Sequence, residues 1–199
     1  MSSSQSSVKH GLAVSERLLN VPPYALAKVF QDRDEKIRQG VDVIDLGVGN
    51  PDIRPPPLAV EALTDALDDP GIQNHRYPSF NGLPEFRAGI AQWYQRRFGV
   101  TVDSNAEAIA LVGSKEGIAK FMFAHVNPGD TLLLCTPCYP AYLGVAALTQ
   151  SRLVEVPLLA RNHFLPDLGA IDTNDARKAR ILCVNYPNNP TGAVETEAF

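Results

Sequence analysis

Apolar residues follow two different spacings along this chain, and the change of spacing divides it. Over Pro55–Asp69 and Leu83–Phe98 they recur every three or four positions. Val60, Leu63 and Leu67 fall together in the first stretch, and Phe86, Ile90, Trp93 and Tyr94 in the second. That period puts them on one face of a helix. Both stretches are predicted helices, with the aromatic stripe of the second turned to the core and Gln92, Arg96 and Arg97 to solvent. Pro70-Gly71 stops the first. From residue 107 the apolar positions gather instead into short runs: Ala108–Val112, Thr131–Cys135, Leu153–Val156 and Arg180–Val184. Runs of this length read as buried strands. Helical stretches, Ser114–His125 and Tyr139–Thr149, separate them, with Asn127-Pro128-Gly129-Asp130 as a turn and a looser stretch, Pro157–Lys178, before the last strand. Strand–helix alternation predicts an α/β fold with a mostly parallel sheet covered on both faces. Nearer the start, Val43–Leu46 reads as a short strand broken by Gly47 and Gly49, and Gln31–Gln39 as a charged helical stretch.

Composition narrows the class. The 199 residues are 45% apolar and 20% charged, ordinary for a globular protein. A net charge of −4 gives no reason to expect nucleic acid or an anionic membrane as partner. The opening MSSSQSSVKHG lacks the apolar core of a secretory signal and reads as a flexible tail. The apolar runs are too short to span a bilayer, so the expected location is the cytoplasm. Cys135, Cys138 and Cys183 are an odd number and no disulfide framework. Cys135-Thr-Pro-Cys138 has the spacing of redox and zinc sites. It lies late in the chain and has no second pair or histidine at zinc spacing, so neither role is expected and no metal site is predicted.

The chemistry gathers in loops after strands. Parallel strands bring their C-terminal ends to one edge, where ligands of open α/β sheets bind. Gly113-Ser114-Lys115-Glu116-Gly117, Thr136–Tyr142 and Asn185–Gly192 each follow a predicted strand. The first opens a helix whose free N–H groups and positive end suit a phosphate, with the Ser114 hydroxyl and Lys115 cation beside it. It lacks the glycine spacing and the Lys-Ser/Thr pair of a nucleotide-binding loop. The alternative is a plain helix cap at Ser114 with Lys115 solvated. In the second, prolines flank Tyr139 and limit its ring, which suits stacking on a flat heterocycle; the alternative is a core tyrosine at a helix start. In the third, Pro187 and Pro190 stiffen the turn and present the amide of Asn189, able to donate to a phenolic oxygen; the alternative is simple chain reversal. Thr191-Gly192 is expected to open a helix.

Taken together, LGVGNPD, RYPSFNG, GSKEG, PCYPAY and NYPNNPTG occur in the order and spacing of the fold-type I aminotransferases that use pyridoxal 5'-phosphate, and the chain resembles that family from about Leu18 onward. GSKEG and FLPDL (164–168) are most similar to its LL-diaminopimelate and alanine aminotransferase branches. The resemblance implies the three-layer large domain of that fold, incomplete here, with an N-terminal arm and part of the small domain. It places a tail over 1–17, the arm and small-domain segment over 18–54, and the coenzyme-binding domain over 55–199. It implies that Ser114, Lys115, Tyr139, Asn189 and Tyr77 bind the coenzyme, Tyr77 from the partner subunit of a homodimer. It implies that Tyr24, also across that interface, with Gly49, Lys115, Tyr139 and Asn189, meets the substrate, an amino acid or a 2-oxo acid.

Such enzymes work through a lysine that forms the resting Schiff base. The lysines here are Lys9, Lys28, Lys36, Lys115, Lys120 and Lys178, and none has the Ser-x-x-Lys setting of that residue. The chain is therefore expected to be the N-terminal part of an aminotransferase, with the catalytic lysine beyond Phe199 and little activity by itself. Another fold-type I enzyme, such as a β-lyase or an aminocyclopropane-carboxylate synthase, shares the same loops. A non-catalytic module for a phosphate-bearing ligand is the alternative of a different class.

Overall fold

The computed structural model describes residues 13–47, 49, 51–71 and 74–196. The serine-rich tail and the Val48 and Asn50 positions of the glycine loop lie outside these. Two units emerge, Met1–Val43 with Lys115–Phe199, and Ile44–Ser114.

The first unit begins with helices α1 (Glu16–Leu19) and α2 (Ala25–Arg38), so the charged stretch after Phe30 is helical and the helix starts earlier, directly after Tyr24. The second unit carries α3 (Pro57–Asp68) and α4 (Pro84–Phe98). Each opens on a proline, whose fixed φ and missing N–H cost nothing in a first turn. Gly99 closes α4 at φ +69, a left-handed position that suits glycine, and its N–H donates to the Gln95 carbonyl.

Back in the first unit, α5 (Ser114–His125) leads to β1 (Thr131–Thr136), α6 (Ala141–Leu148), β2 (Arg152–Pro157), α7 (Thr173–Lys178) and β3 (Ala179–Cys183). The strands form a parallel sheet in the order β2-β1-β3. Leu132 stands opposite Leu153 and Ile181, and Leu134 opposite Glu155 and Cys183. A central strand with covered faces must be apolar throughout, and β1 is buried from Thr131 to Cys135. On one face Leu132 packs with Met122 and Val126 from the α5 end and with Val145 and Ala146 of α6. On the other, Leu133 and Cys135 pack with Val156 and Leu158, and Phe164 and Ile171 close over them. The stretch expected to be loose thus covers one face of the sheet. An antiparallel bridge from Leu158 to Pro166 holds it. Asp172 then caps α7 by accepting from the N–H groups of Asn174 and Asp175. Full burial of a leucine side chain contributes about 1.5–3 kcal/mol. Arg180 donates to the His125 carbonyl at 3.0 Å, a cation at the C-terminal end of α5.

The structure corrects several expectations. Ala108–Val112 is not a strand, because no ladder partner reaches it among the described residues. It lies instead along the Asn81-Gly82 turn, the Ala110 N–H donating to the Asn81 carbonyl at 3.0 Å. Val43–Leu46 likewise forms no strand among the described residues, and β3 ends at Cys183, one residue early. Thr191-Gly192 forms a turn and no helix. The stripe of α4 is not buried: Phe86, Trp93 and Tyr94 are exposed and Ile90 half-buried. Trp93 meets Tyr94 and Phe98 edge-on instead, and those two rings meet at a tilt. The buried residue of α4 is Arg87, whose guanidinium donates to the carbonyls of Gly82 and Ser104. No helix among the described residues is long and apolar enough to cross a membrane.

Candidate coenzyme site

The C-terminal edge of the first unit's sheet carries Tyr139 and the Asn189 loop, with Lys115 in the same unit. β1 runs out at Thr136 into Pro137-Cys138-Tyr139-Pro140, and Tyr139 stands half-buried just before α6. The Tyr142 N–H donates to the Tyr139 carbonyl at 3.1 Å, and the two rings meet edge to face at 6.0 Å. Tyr142 continues into the core beneath, so it braces the Tyr139 ring.

Lys115 reaches the same place from the first turn of α5. Its Nζ lies 5.5 Å from the centre of the Tyr139 ring and 5.7 Å from that of Tyr24, so Tyr24, expected to reach across a subunit interface, lies here against Lys115 of its own chain. A cation over an aromatic face is attracted by the ring quadrupole. Tyr139 holds the ammonium above the ordinary lysine range, first by hydrogen bonding and then by charge; Tyr24 adds a smaller pull the same way. Lys115 is therefore a firm cation at neutral pH. Glu116, an unwelcome charge beside an anion, is bound one turn further along α5 by Lys120. Ser114 and Lys115 are both exposed at the helix start. Gly113 before them, at φ +87, has open space where a Cβ would stand.

The loop after β3 forms a tight bracket. The Asn189 N–H donates to Asn185 Oδ1 at 3.1 Å, while its own side chain stays exposed. The Tyr186 hydroxyl donates to the Phe164 carbonyl at 3.2 Å. Asn188 is buried beneath, 4% exposed. Its Oδ1 accepts from the Thr191 hydroxyl at 2.8 Å and the Thr191 N–H at 3.2 Å, and its Nδ2 donates to the Pro137 carbonyl at 3.4 Å. The loops bearing Tyr139 and Asn189 are thus joined by one side chain. Sequence reasoning passed over Asn188 in favour of its neighbour. The signal was the Asn-x-x-Thr spacing, which lets a side-chain oxygen meet an N–H three residues on.

Tyr24, Lys115, Tyr139 and the Asn189 loop therefore belong to one unit, and Ser114 adjoins Lys115 in the chain. Gly49, Tyr77 and Ser114 fall in the other unit, Ser114 as its last residue, and all three are exposed. The cation, the helix start and the braced ring fit a phosphate attached to a flat ring.

Two other features lie apart from this arrangement. A cleft of about 270 Å³ opens along β2. Three of its carboxylates are engaged: Asp175 with Arg152 at 2.7 Å, Asp172 as the cap of α7, and Glu155 accepting from the Thr136 hydroxyl at 3.0 Å. Cys135, Cys138 and Cys183 are free thiols, each pushed upward in pKa by burial, Cys183 to about 11. Thiols held protonated are poor nucleophiles and poor ligands. No metal-binding cluster occurs among the described residues.

Comparison with known proteins identifies the family. The profile of the family "Aminotransferase class I and II" matches residues 41–198. The chain belongs to that family. It is 51% identical over 185 residues to an LL-diaminopimelate aminotransferase of Aquifex aeolicus, covering 93% of this chain and 47% of that protein. It is 46% identical over 186 residues to the one of Oleidesulfovibrio alaskensis, covering 94% and 47%. The chain thus spans about half the length of the curated relatives it matches. Among solved structures, apo-BacF from Bacillus subtilis superposes with a TM-score of 0.86 at 37% identity, over 94% of this chain and 47% of that one. An alanine aminotransferase from Pyrococcus furiosus does so at 0.80 and 29% identity, over 94% and 47%. The fold is that of the fold-type I aminotransferases, of which the three-stranded sheet and its helices form a part.

Proposed function

We propose that the full-length protein carrying this chain transfers an amino group between an amino acid and a 2-oxo acid with pyridoxal 5'-phosphate. The observation that carries the reading is the Lys115 cation set between the Tyr139 and Tyr24 rings at the start of α5. The coenzyme, when bound, supplies the electron sink that makes the substrate α-proton removable. This chain supplies its placement. Ser114, Lys115 and the first N–H groups of α5 hold the phosphate, with Tyr77 of a second subunit joining them. The face of Tyr139 supports the ring, and the Asn189 amide donates to the ring hydroxyl, favouring its ionised form. Tyr24, Gly49, Lys115, Tyr139 and Asn189 border the substrate. The Schiff-base lysine and proton shuttle lies beyond Phe199. The protein works as a homodimer in the cytoplasm.

The substrate pair is LL-diaminopimelate with 2-oxoglutarate. The support is the naming of the relatives at 51% and 46% identity as LL-diaminopimelate aminotransferases. Alanine with 2-oxoglutarate is the second reading, supported by the likeness to the Pyrococcus furiosus enzyme. Incubating the full-length protein with 2-oxoglutarate and either donor decides between them. Glutamate forming from LL-diaminopimelate and not from alanine is expected. Ammonia release without glutamate points to a lyase and overturns the transfer reading.

A further inference from the structure

We infer that Asn188 is a positioning residue that sets the Asn189 amide against the Tyr139 ring; this rests on the coenzyme reading above. Within 185–192 it is the buried asparagine, whereas Asn189, which faces the ligand in that reading, is exposed. Both lone pairs of Asn188 Oδ1 are used, one by the Thr191 hydroxyl and one by the Thr191 N–H. Its amide nitrogen donates to the Pro137 carbonyl, two residues before Tyr139. Its main chain closes the turn: the N–H donates to the Ala193 carbonyl at 2.8 Å, and the carbonyl accepts from the Gly192 N–H at 2.7 Å. Asn185 meanwhile fixes the Asn189 N–H. Asn189 is therefore held through its neighbours and keeps its side chain for the ligand.

The chemistry requires an amide at this position. Aspartate keeps the acceptor towards Thr191 but has no donor for Pro137, and it sets a carboxylate against the Pro137 carbonyl. Alanine loses both contacts and leaves the Thr191 hydroxyl and the Pro137 carbonyl without this partner. Either change lets the two loops drift, and the Asn189 amide then meets the ring hydroxyl less well. The ionised hydroxyl loses support, so its pKa rises.

The test uses the full-length protein and four variants: Asn188→Ala, Asn188→Asp, Thr191→Val and Thr191→Ser. Three quantities are measured: the dissociation constant for pyridoxal phosphate, the pH midpoint of the bound coenzyme's visible absorbance, and Tm. In the Asn188 variants we expect affinity to fall about tenfold, the loss of one buried hydrogen-bonded group, and the midpoint to rise by about half a pH unit. Thr191→Val shifts both the same way by less, and Thr191→Ser restores them because it keeps the hydroxyl. A lowered Tm with the midpoint unmoved makes Asn188 merely structural and overturns the inference. If the Asn188 variants do not fold, the Thr191 pair decides by the same criterion. A wild-type protein with no coenzyme absorbance overturns the function reading itself, an outcome separate from an Asn188 variant that leaves a normal spectrum unmoved.

Discussion

β1 and α4 are both rich in apolar side chains, yet they end in opposite surroundings. Every residue of β1 from Thr131 to Cys135 is buried, with Leu132 and Leu134 each 1% exposed. In α4, Phe86 is 56% and Trp93 49% exposed, and the one buried residue is Arg87. β1 finds its partners close by in sequence: α5 and α6 flank it, and β2 and β3 follow. The aromatic face of α4 has no such cover among the described residues of its own unit. An apolar stripe thus states which face of an element seeks a partner. Only chain connectivity shows whether the partner is at hand.

Paired truncations sharpen that contrast most. Leu134→Ala in the 199-residue chain is expected to cost about 2–5 kcal/mol of unfolding free energy, the transfer loss plus a cavity. Phe86→Ala is expected to stay within about 0.5 kcal/mol, as for exposed sites. Urea denaturation of both variants measures this. Equal losses would mean that α4 is covered after all and would break the comparison.

A smaller effect tests how the second unit holds together without an aromatic core. Gly82 sits at φ +93, and a Cβ there would run into the Cβ of Ala110. Gly82→Ala therefore combines a disfavoured dihedral with a clash against the Ala110 Cβ, expected to cost about 1–3 kcal/mol. Hydrogen exchange reads it as faster exchange of the Ala110 amide, whose acceptor is the Asn81 carbonyl. Unchanged protection at Ala110 would remove the Asn81-Gly82 turn from the account.

The smallest effect is chemical. Burial lifts the Cys183 thiol to about 11 from an ordinary 9.0. The folded protein thus keeps this proton where the unfolded chain loses it, and stability from Cys183 is full below pH 9 and declines between 9 and about 11. At pH 8 its thiolate is scarcer than that of an unfolded cysteine by about a hundredfold. Alkylation followed by mass spectrometry should show Cys183 slow in the native chain and fast in urea. Rapid native labelling would show that the β3 side of the sheet is open.

The same contrast explains what was legible in the sequence. Thr131–Cys135, Leu153–Val156 and Arg180–Val184 were readable as strands because unbroken apolar runs of that length suit a strand buried on both faces, and they lie within one residue of β1, β2 and β3. Ala108–Val112 carries a similar run and fails, since pairing is not a local property and no partner strand reaches it among the described residues. The loop after β3 divides in the same manner. Proline spacing marks a rigid turn there, whereas the burial of Asn188 depends on the Pro137 carbonyl, 51 residues away in sequence. The role of Lys115 as a cation was visible at a helix start, but its place between Tyr24 and Tyr139 joins three separated segments.

The central claim is that one lip of the sheet grips a single coenzyme by its phosphate, its ring face and its hydroxyl. A crystal structure of the full-length protein soaked with pyridoxal phosphate tests it most directly. The account predicts the phosphate on Ser114 and Lys115 at the start of α5, the ring against Tyr139, and the Asn189 amide within hydrogen-bonding distance of the ring hydroxyl. Coenzyme density in the cleft along β2, or a phosphate remote from Lys115, would contradict it.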